Sequence, residues 1–520
     1  MNPRVKILTH IGEVFSMIST LQRFSLSRVI FLAILVLGVL VIFSQLSLGV
    51  SPALKPNVIV IQLDDLAYSD LFMKRPNGDY VLKNIHTQLV RRGTSFENHH
   101  TSFSLCCPAR ATLFTGQYAH NHGVLSNDPP TGGFLKLNHT NTLPIWLQQA
   151  GYYTSHVGKY MNGYNGGTST NGISAPRPPG WDDWFTTVRI GGYPQGSYYN
   201  HQIHDNDTFL FFGNTPADYL TDVLANRAVA VIAQRGNDPQ PFYLQVDFFS
   251  PHGEPTFAIP AQRHIGLMNG MTAPRTPAFN EADVSDKPAD VRGRPLLTPS
   301  DITNVDLRYQ KRGESLLAVD EAVGRMIRVL RHTGQYDNTV IIFTSDNGWM
   351  QGEHRLPIGK NFTYTASTQA PLIIAGPRVP RTQRVSQLTG NIDVTPTILE
   401  ITGASPGLVQ DGHSLFPLMR GQTDAVREEL LLESPIQKFY AGLRTEDTAT
   451  GEEHLYIEYD YNLDGQWDER EMYAITPDSC QPVGDPFLLE SQHTNPCYAV
   501  KMAQMSARVA YLKTCSGPTC

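Results

Sequence analysis

The sequence lacks any long run of lysine or arginine. Its 520 residues carry a formal net charge of −7, whereas proteins that chiefly bind nucleic acid need clustered basic residues to neutralise phosphates. Internal repeats and low-complexity segments are also absent. Apolar residues make up 41% and charged residues 17% of the chain, so most of it should fold. The length suffices for one large domain and a smaller one, and we expect no nucleic acid partner.

Cysteine is scarce, with six in the whole chain. Four lie near the C-terminus: Cys480, Cys497, Cys515 and Cys520. They suit disulfides formed in an oxidising compartment. Four cysteines permit three pairings, and we expect Cys480 with Cys497 and Cys515 with Cys520. Cys106 and Cys107 are adjacent, and adjacent cysteines rarely bridge each other, so this pair needs another explanation.

The N-terminal region contains the one stretch suited to a membrane. Val29–Val50 carries no charge over 22 residues, and about 20 apolar residues span a bilayer as a helix. Basic residues precede this stretch and only Lys55 follows closely, so residues 1–28 should be cytoplasmic and the bulk extracytoplasmic: periplasmic, secreted or lumenal. A cleaved signal peptide is the alternative. We favour a signal anchor at 29–50 because 28 residues precede it and no small-residue cleavage pattern follows.

Short β-branched, apolar runs that alternate with helical stretches predict the fold. Strands are predicted at Asn57–Leu63, Phe242–Phe249 and Thr339–Phe343. Helices are predicted at Thr142–Ala150 and Leu316–His332. This alternation indicates an α/β fold with a doubly wound, mostly parallel central sheet and helices on both faces.

From about residue 428 the pattern changes to that of antiparallel strands. These are predicted at Leu430–Leu432, Phe439–Arg444 and Leu455–Tyr459, and a helix is predicted around Ala499–Lys513. We therefore predict a catalytic domain at 55–427 and a smaller C-terminal α+β domain with an antiparallel sheet at 428–520. The disulfide-bearing tail belongs to the second.

Polar side chains follow three of the predicted strands. Asp64 and Asp65 follow the first, His252 the second, and Asp346 with Asn347 the third. An isolated Asp after a strand is usually a turn or cap residue, but ligands bind at the carboxyl ends of strands in open α/β sheets. Carboxylate and amide oxygens select Ca²⁺ or Mg²⁺ rather than zinc. No histidine pair or cysteine cluster with zinc spacing lies nearby.

The cysteine pair lies where a helix should begin. Pro108 fits a first helical turn, and Gly116 fits the C-terminal cap. Cys106 would then lie at the positive end of the helix, which favours anions. Arg110, four residues on, shares its face. A nucleophile beside an arginine suits an anionic tetrahedral ester, although a lone cysteine is more often a buried structural residue.

The sequence around Cys106 resembles the signature of the sulfatase family. Cys106-Cys107-Pro108-Ala109-Arg110 is similar to its C-x-P-x-R core, and the flank TLFTGQYAHNHGV is similar to the family's continuation. The chain looks most like the branch of N-acetylglucosamine-6-sulfatases and extracellular heparan-sulfatases. Further similar blocks follow in the family's order: Gly158–Tyr164, Ser250-Pro251-His252, Thr344–Gly348, Gly352-Glu353-His354 with Lys360, Asn391–Leu399 and Asp411–Leu415.

The resemblance implies an alkaline-phosphatase-like fold and a sulfuric ester hydrolase. It implies that a maturation enzyme oxidises Cys106 to formylglycine, whose hydrate attacks sulfur with one hydroxyl and expels sulfate with the other. One Ca²⁺ would be held by five residues: Asp64, Asp65, residue 106, Asp346 and Asn347. The substrate would be a sulfated small molecule or saccharide, such as a glycosaminoglycan.

The resemblance also assigns roles to the cationic residues. Arg110 would steady the geminal diol, and Lys159 and Lys360 would clamp sulfate oxygens. His252 would protonate the leaving alcohol oxygen or assist Lys360 in doing so. Asp346 would also accept the proton of the nucleophile, and Cys107 would take no part.

Some positions depart from the family pattern. Many sulfatases carry a histidine where this chain has Met161, and Asn162 or His156 would compensate. His99 and His100 could line the cleft, but an exposed loop is the more common place for such histidines. Two alternative functions stay open: a phosphonate or phosphate ester hydrolase of the same superfamily, and a catalytically inactive membrane-anchored binding homologue.

Overall fold

The computed structural model describes residues 55–167, 175–188 and 196–520. Within them the strands are β1 Asn57–Leu63, β2 Gly93–Phe96, β3 His99–His100, β4 Tyr153–Gly158, β5 Asp183–Thr187, β6 Gln202–Asp205, β7 Thr208–Phe211, β8 Phe242–Phe248, β9 Thr339–Ser345, β10 Leu372–Ala375, β11 Gln383–Val385, β12 Thr389–Gly390, β13 Glu429–Ser434, β14 Tyr440–Asp447, β15 Glu452–Tyr459 and β16 Glu469–Ala474. The α-helices are α1 Lys83–Gln88, α2 Cys106–Thr115, α3 Ala119–His122, α4 Leu143–Gln149, α5 Leu220–Arg235, α6 Ala289–Arg292, α7 Pro299–His332, α8 Thr365–Thr368, α9 Val394–Thr402, α10 Phe416–Met419 and α11 Ala499–Leu512.

Ten strands form the central sheet, in the order β11-β2-β10-β9-β1-β8-β4-β5-β6-β7. Its middle strands, β9, β1, β8, β4 and β5, all pair in parallel. Antiparallel pairs appear only toward the two edges, at β10 and at β6 and β7. Strand β1 lies in the centre and all seven of its residues are buried, which explains its continuous apolar sequence.

Helices cover both faces of this sheet. Successive side chains of a strand point to opposite sides, so a strand that is apolar throughout has an apolar face on each side to bury. On one face Ile59 and Ile61 pack with residues of α1, α5 and α7. On the other face Val58 and Val60 pack with residues of α2, α4, α9 and α10. The predicted doubly wound, mostly parallel fold is confirmed.

Helix α7 is longer than predicted, since it begins at Pro299 rather than at Leu316. Thr298 caps its N-terminus: the Thr298 Oγ1 accepts from the Asp301 backbone N–H at 3.2 Å, and the Asp301 carboxylate accepts from the Thr298 backbone N–H at 2.9 Å. This capping box followed by proline is a strong helix start.

Strands β13 to β16 form a separate four-stranded antiparallel sheet, against which α11 packs through Met502, Met505 and Val509. Strand β16 was not predicted. The expected disulfides, Cys480–Cys497 and Cys515–Cys520, are both present. Residues Pro56–Cys520 form one compact unit, and the domain boundary at 427/428 stays a prediction.

The predicted signal anchor at 29–50 lies outside the described residues. Among the residues that are described, no helix combines the length and the apolar character that a bilayer crossing needs.

Candidate active site

The ends of β1 and β9 bring four oxygen-bearing side chains together. Leu63 of β1 is paired with Ser345 of β9 in parallel register, so the two residues that follow each strand become neighbours. The Asp65 backbone N–H donates to Asp346 Oδ1 at 3.1 Å, and Asn347 Nδ2 donates to Asp65 Oδ1 at 2.7 Å. These residues and Asp64 are fully buried, as the strand-end argument predicted.

This cluster fits a hard cation. Carboxylate oxygens of Asp64, Asp65 and Asp346 lie within 4.8 Å of one another. Asp65 Oδ2 and Asn347 Oδ1 are buried and have no hydrogen-bond partner among the described residues, which is unusual for buried polar atoms. An oxygen-only set of this kind suits Ca²⁺ or Mg²⁺. These four side chains therefore fit the hard cation that was predicted from the sequence.

Cys106 is the first residue of α2, as the sequence indicated. Leu105 before it is extended, and Gly116 ends the helix in the left-handed conformation with φ of 68°. Cys106 Sγ lies 3.4 Å from Asp64 Oδ1 and 2.7 Å from Lys360 Nζ. Burial and the Asp64 carboxylate raise the pKa of the Cys106 thiol. The side chain thus faces the carboxylate cluster and stays protonated as a cysteine.

Arg110 lies one helical turn further on and is 1% exposed. Its Nε donates to Asp346 Oδ2 at 3.0 Å, and its Nη1 donates to the backbone carbonyl of Lys159 at 2.8 Å. The arginine therefore connects α2, the end of β4 and the end of β9.

Two lysines approach the cluster from different segments. Lys159 follows β4 and forms an ion pair with Asp64, while Lys360 comes from the loop after β9 and forms one with Asp65. Burial alone would lower the pKa of Lys360, but Asp65 and the Cys106 sulfur raise it well above its usual value. Burial would likewise raise the pKa of Asp64, but Lys159 and the other cations lower it. Both lysines are therefore ammonium ions and Asp64 is a carboxylate.

His252 marks the open side of the cluster. Its side chain is 30% exposed, against 13% for Lys360 and 4% for Lys159. The His252 Nε2 lies 3.7 Å from Asp65 Oδ2, and Nδ1 lies 2.8 Å from the carbonyl of Gly253. Because a carbonyl only accepts, Nδ1 carries a proton and Nε2 is the nitrogen that can gain or lose one.

Sequence reasoning missed one buried charge, Asp247 of β8. Its carboxylate lies 2.9 Å from His156 Nε2 and 3.8 Å from Arg110 Nη1. No motif includes this aspartate. The signal available was a charged residue within the buried strand β8, where a charge needs a buried partner.

Other predicted bystanders are placed as follows. Cys107, the second residue of α2, accepts from the Asn162 backbone N–H through Sγ at 3.2 Å and packs in the apolar cluster that contains Val58 and Val60. His99 and His100 are fully buried, where Nδ1 of His99 contacts the Thr389 hydroxyl at 3.1 Å. The expectation of an exposed loop for these two histidines was wrong, because β3 pairs with β12 in the interior.

The fold and this cluster together define a class of protein. It is an α/β enzyme whose site, at the carboxyl edge of a mostly parallel sheet, surrounds one buried cysteine with carboxylates, two lysines and an arginine. Such a site suits an anionic ester.

Comparison with known proteins identifies the family. The family model described as "Sulfatase" matches residues 56–404, and the model "N-sulphoglucosamine sulphohydrolase, C-terminal" matches residues 352–475. The chain belongs to the sulfatase family and is a sulfatase enzyme.

Named relatives agree with this assignment. Human N-acetylglucosamine-6-sulfatase is 33% identical over 387 residues, which cover 73% of this chain and 67% of that protein. The N-acetylglucosamine-6-sulfatase of Capra hircus is 30% identical over 515 residues, covering 91% of this chain and 87% of that protein. A solved structure of a protein in complex with its substrate D-glucosamine-2-N,6-O-disulfate has a TM-score of 0.69 at 23% identity, covering 88% of this chain and 97% of that one. This last likeness supports the alkaline-phosphatase-like fold.

Proposed function

We propose that this sulfatase hydrolyses sulfate monoesters of a sulfated amino sugar, with Cys106 oxidised to formylglycine and one Ca²⁺ held by Asp64, Asp65, Asp346 and Asn347. The observation that carries the proposal is the position of Cys106. Its Sγ lies at the start of α2, 3.4 Å from a carboxylate of the proposed metal group and 2.7 Å from the ammonium of Lys360.

Formylglycine at position 106 and the bound cation would supply complementary chemistry. The hydrated aldehyde would offer one hydroxyl to attack sulfur and a second to release sulfate, and the cation would lower a hydroxyl pKa and neutralise sulfate charge. A serine would instead remain as a stable sulfate ester, so a converted cysteine is needed.

The remaining steps belong to the side chains of the chain itself. Arg110 orients residue 106, since its guanidinium is fixed by Asp346 and by the carbonyl of Lys159. Lys159 and Lys360 bind sulfate oxygens and balance their charge. Asp346, whose pKa burial and the neighbouring Asp64 raise, accepts the proton of the attacking hydroxyl.

His252 is proposed as the group that delivers a proton to the leaving alcohol. It is the most exposed of the proposed active-site side chains, so it lies where a sugar would enter. Its Nδ1–H is committed to the carbonyl of Gly253. The proton must therefore pass from Nε2, which faces the cluster.

The printed names of relatives support the choice of substrate. Two are N-acetylglucosamine-6-sulfatases, and the solved neighbour binds a disulfated glucosamine. We infer the same class of sugar for this chain. We also propose an extracytoplasmic location, a membrane anchor at 29–50 and a maturation enzyme that converts Cys106. Two disulfides support the oxidising compartment.

The test combines mass spectrometry with kinetics. In natively expressed protein, the peptide containing residue 106 should be lighter than its cysteine form, and Cys106→Ala should abolish activity. Rates on an aryl sulfate, glucosamine-6-sulfate and a phosphodiester should rank the two sulfates above the phosphodiester. An active enzyme with an unmodified Cys106 thiol, or a preference for the phosphodiester, would contradict the proposal.

A further inference from the structure

The carboxylate of Asp247 lies next to Nη1 of Arg110, whereas Asp346 contacts Nε and Nη2. We propose that Asp247 and His156 are positioning residues for Arg110 in sulfate ester hydrolysis. The inference rests on the proposed role of Arg110 in orienting residue 106. Asp247 is fully buried and lies 3.8 Å from Arg110 Nη1, so it is a third carboxylate beside the guanidinium, after Asp346 and Asp64.

Asp247 is itself held in one orientation. His156 Nε2 lies 2.9 Å from Oδ2, and Gln245 Nε2 donates to the same oxygen at 3.0 Å. The other nitrogen of His156 lies 2.6 Å from the hydroxyl of Thr186. That hydroxyl can donate to Nδ1, which assigns the ring proton to Nε2 and makes His156 a neutral donor to Asp247. Burial lowers the pKa of His156, in agreement with a neutral ring. The other oxygen, Oδ1, accepts from Gln245 Nε2 at 3.3 Å and faces Arg110.

Arg110 has two other carboxylate neighbours, Asp346 at 3.0 Å and Asp64 at 3.8 Å, and both belong to the proposed metal group. Asp346 accepts from Arg110 through Oδ2, accepts from the Asp65 backbone through Oδ1, and belongs to the proposed metal group. Its charge is therefore divided among several partners. Asp247 lies outside the metal group. Its carboxylate is therefore free of the metal and can hold the guanidinium of Arg110 in place.

The backbone of Asp247 also aligns Lys159. The Lys159 N–H donates to the Asp247 carbonyl at 2.9 Å, and the Lys159 carbonyl accepts from Arg110. Gly158 makes this close approach possible: its φ is 118°, and a Cβ there would lie 2.0 Å from the Asp247 carbonyl oxygen. Lys159 and Arg110 therefore both take their position from Asp247 of β8.

The first test is Asp247→Asn, which keeps the shape and removes the charge. We expect kcat on an aryl sulfate to fall about 10- to 100-fold, as is typical when a residue that orients a reactive group is changed, with KM changed less than kcat. Each kcat is divided by the fraction of residue 106 converted, measured by mass spectrometry. The matched control is Tyr152→Phe, which removes another buried hydroxyl, one that donates to the Pro56 carbonyl at 2.9 Å beside the opposite end of β1. It should keep the wild-type kcat.

The second test asks whether Asp247 acts through Arg110. In an Arg110→Ala background, Asp247→Asn should cause little further loss of kcat, because effects on one shared group are not additive. The inference is overturned if Asp247→Asn lowers thermal stability but leaves kcat intact, or if it lowers kcat by the same factor in both backgrounds. An Arg110→Ala enzyme with the wild-type rate would instead refute the proposed role of Arg110.

A milder pair of variants covers the case in which Asp247→Asn does not fold. His156→Gln keeps a side-chain N–H that can reach Asp247, whereas His156→Phe does not. The glutamine variant should retain most of the wild-type kcat and the phenylalanine variant should lose about tenfold or more. Equal rates for the two variants would overturn the inference.

Discussion

Calcium should stabilise the folded protein through Asn347. Asn347 Oδ1 is buried without a hydrogen-bond partner in the described structure, as is Asp65 Oδ2. A cation bound between them and the other two carboxylates would satisfy both atoms. Since an ion that binds only the folded state stabilises it by mass action, a free calcium concentration of 100 times Kd should raise the free energy of unfolding by about 2.7 kcal/mol.

Asn347→Ala removes one ligand oxygen. If this weakens calcium binding about 100-fold, the upper end of losses seen for residues that support a metal, the same calcium concentration equals the new Kd. The stabilisation then falls to about 0.4 kcal/mol. The difference of about 2.3 kcal/mol is well within the reach of urea unfolding followed by fluorescence, with and without a chelator.

The matched control is Asn57→Ala, another buried asparagine, at the opposite end of β1. Asn57 Nδ2 donates to Thr339 Oγ1 at 3.4 Å, far from the strand ends that carry the cluster. This variant should be less stable than wild type yet gain the full calcium increment. An unchanged free energy of unfolding on adding calcium to wild type, or an equal increment in Asn347→Ala, would refute the proposed ligand set.

Three further outcomes are expected. Arg427→Met should lower the free energy of unfolding by about 3–5 kcal/mol in urea, because it leaves the buried Asp393 carboxylate without its 2.5 Å partner. Burial would raise the pKa of Asp393, but Arg427 lowers it, so this contribution is present above about pH 4 and lost as pH falls further; wild type and variant should converge in acid. Replacing Cys480 and Cys497 with serine should cost about 3 kcal/mol, since their disulfide closes a separation of 17 residues, and unchanged urea midpoints would contradict this. Cys107→Ser should keep most aryl sulfate turnover, and a loss as complete as that of Cys106→Ala would show that Cys107 takes part.

Part of the site could be predicted from the sequence, namely the residues that meet because they follow neighbouring parallel strands. Strands β1 and β9 are parallel neighbours, so Asp64 and Asp346 must meet at one edge once both strands are recognised. The helix that begins at Cys106 was also predictable, because Pro108 and Gly116 mark its two ends through local backbone chemistry. These inferences needed no knowledge of distant packing.

Other parts of the site depend on contacts that no local pattern encodes. Lys360 meets Asp65 across 295 positions of the chain, so without the family resemblance nothing adjacent in sequence indicates the pair. Asp247 lies within a strand rather than after it, and its function depends on His156 from the neighbouring strand β4. The burial of His99 depends on β12, which follows almost 300 residues later. In each case the tertiary partner, not the local propensity, decides the environment.

The charges of the site imply that metal and sulfate binding are coupled. In the described structure the ammonium groups of Lys159 and Lys360 pair with Asp64 and Asp65, which are the same carboxylates proposed to hold Ca²⁺. A divalent cation would neutralise those carboxylates and leave both lysines to an incoming anion. Calcium should therefore tighten the binding of inorganic sulfate, and by thermodynamic reciprocity sulfate should tighten calcium by the same factor. Calorimetric titration of sulfate with and without calcium measures this factor. Equal sulfate affinities in the two titrations would mean that the lysines are not held back by the carboxylates, and the assignment of Lys159 and Lys360 as sulfate ligands would have to be given up.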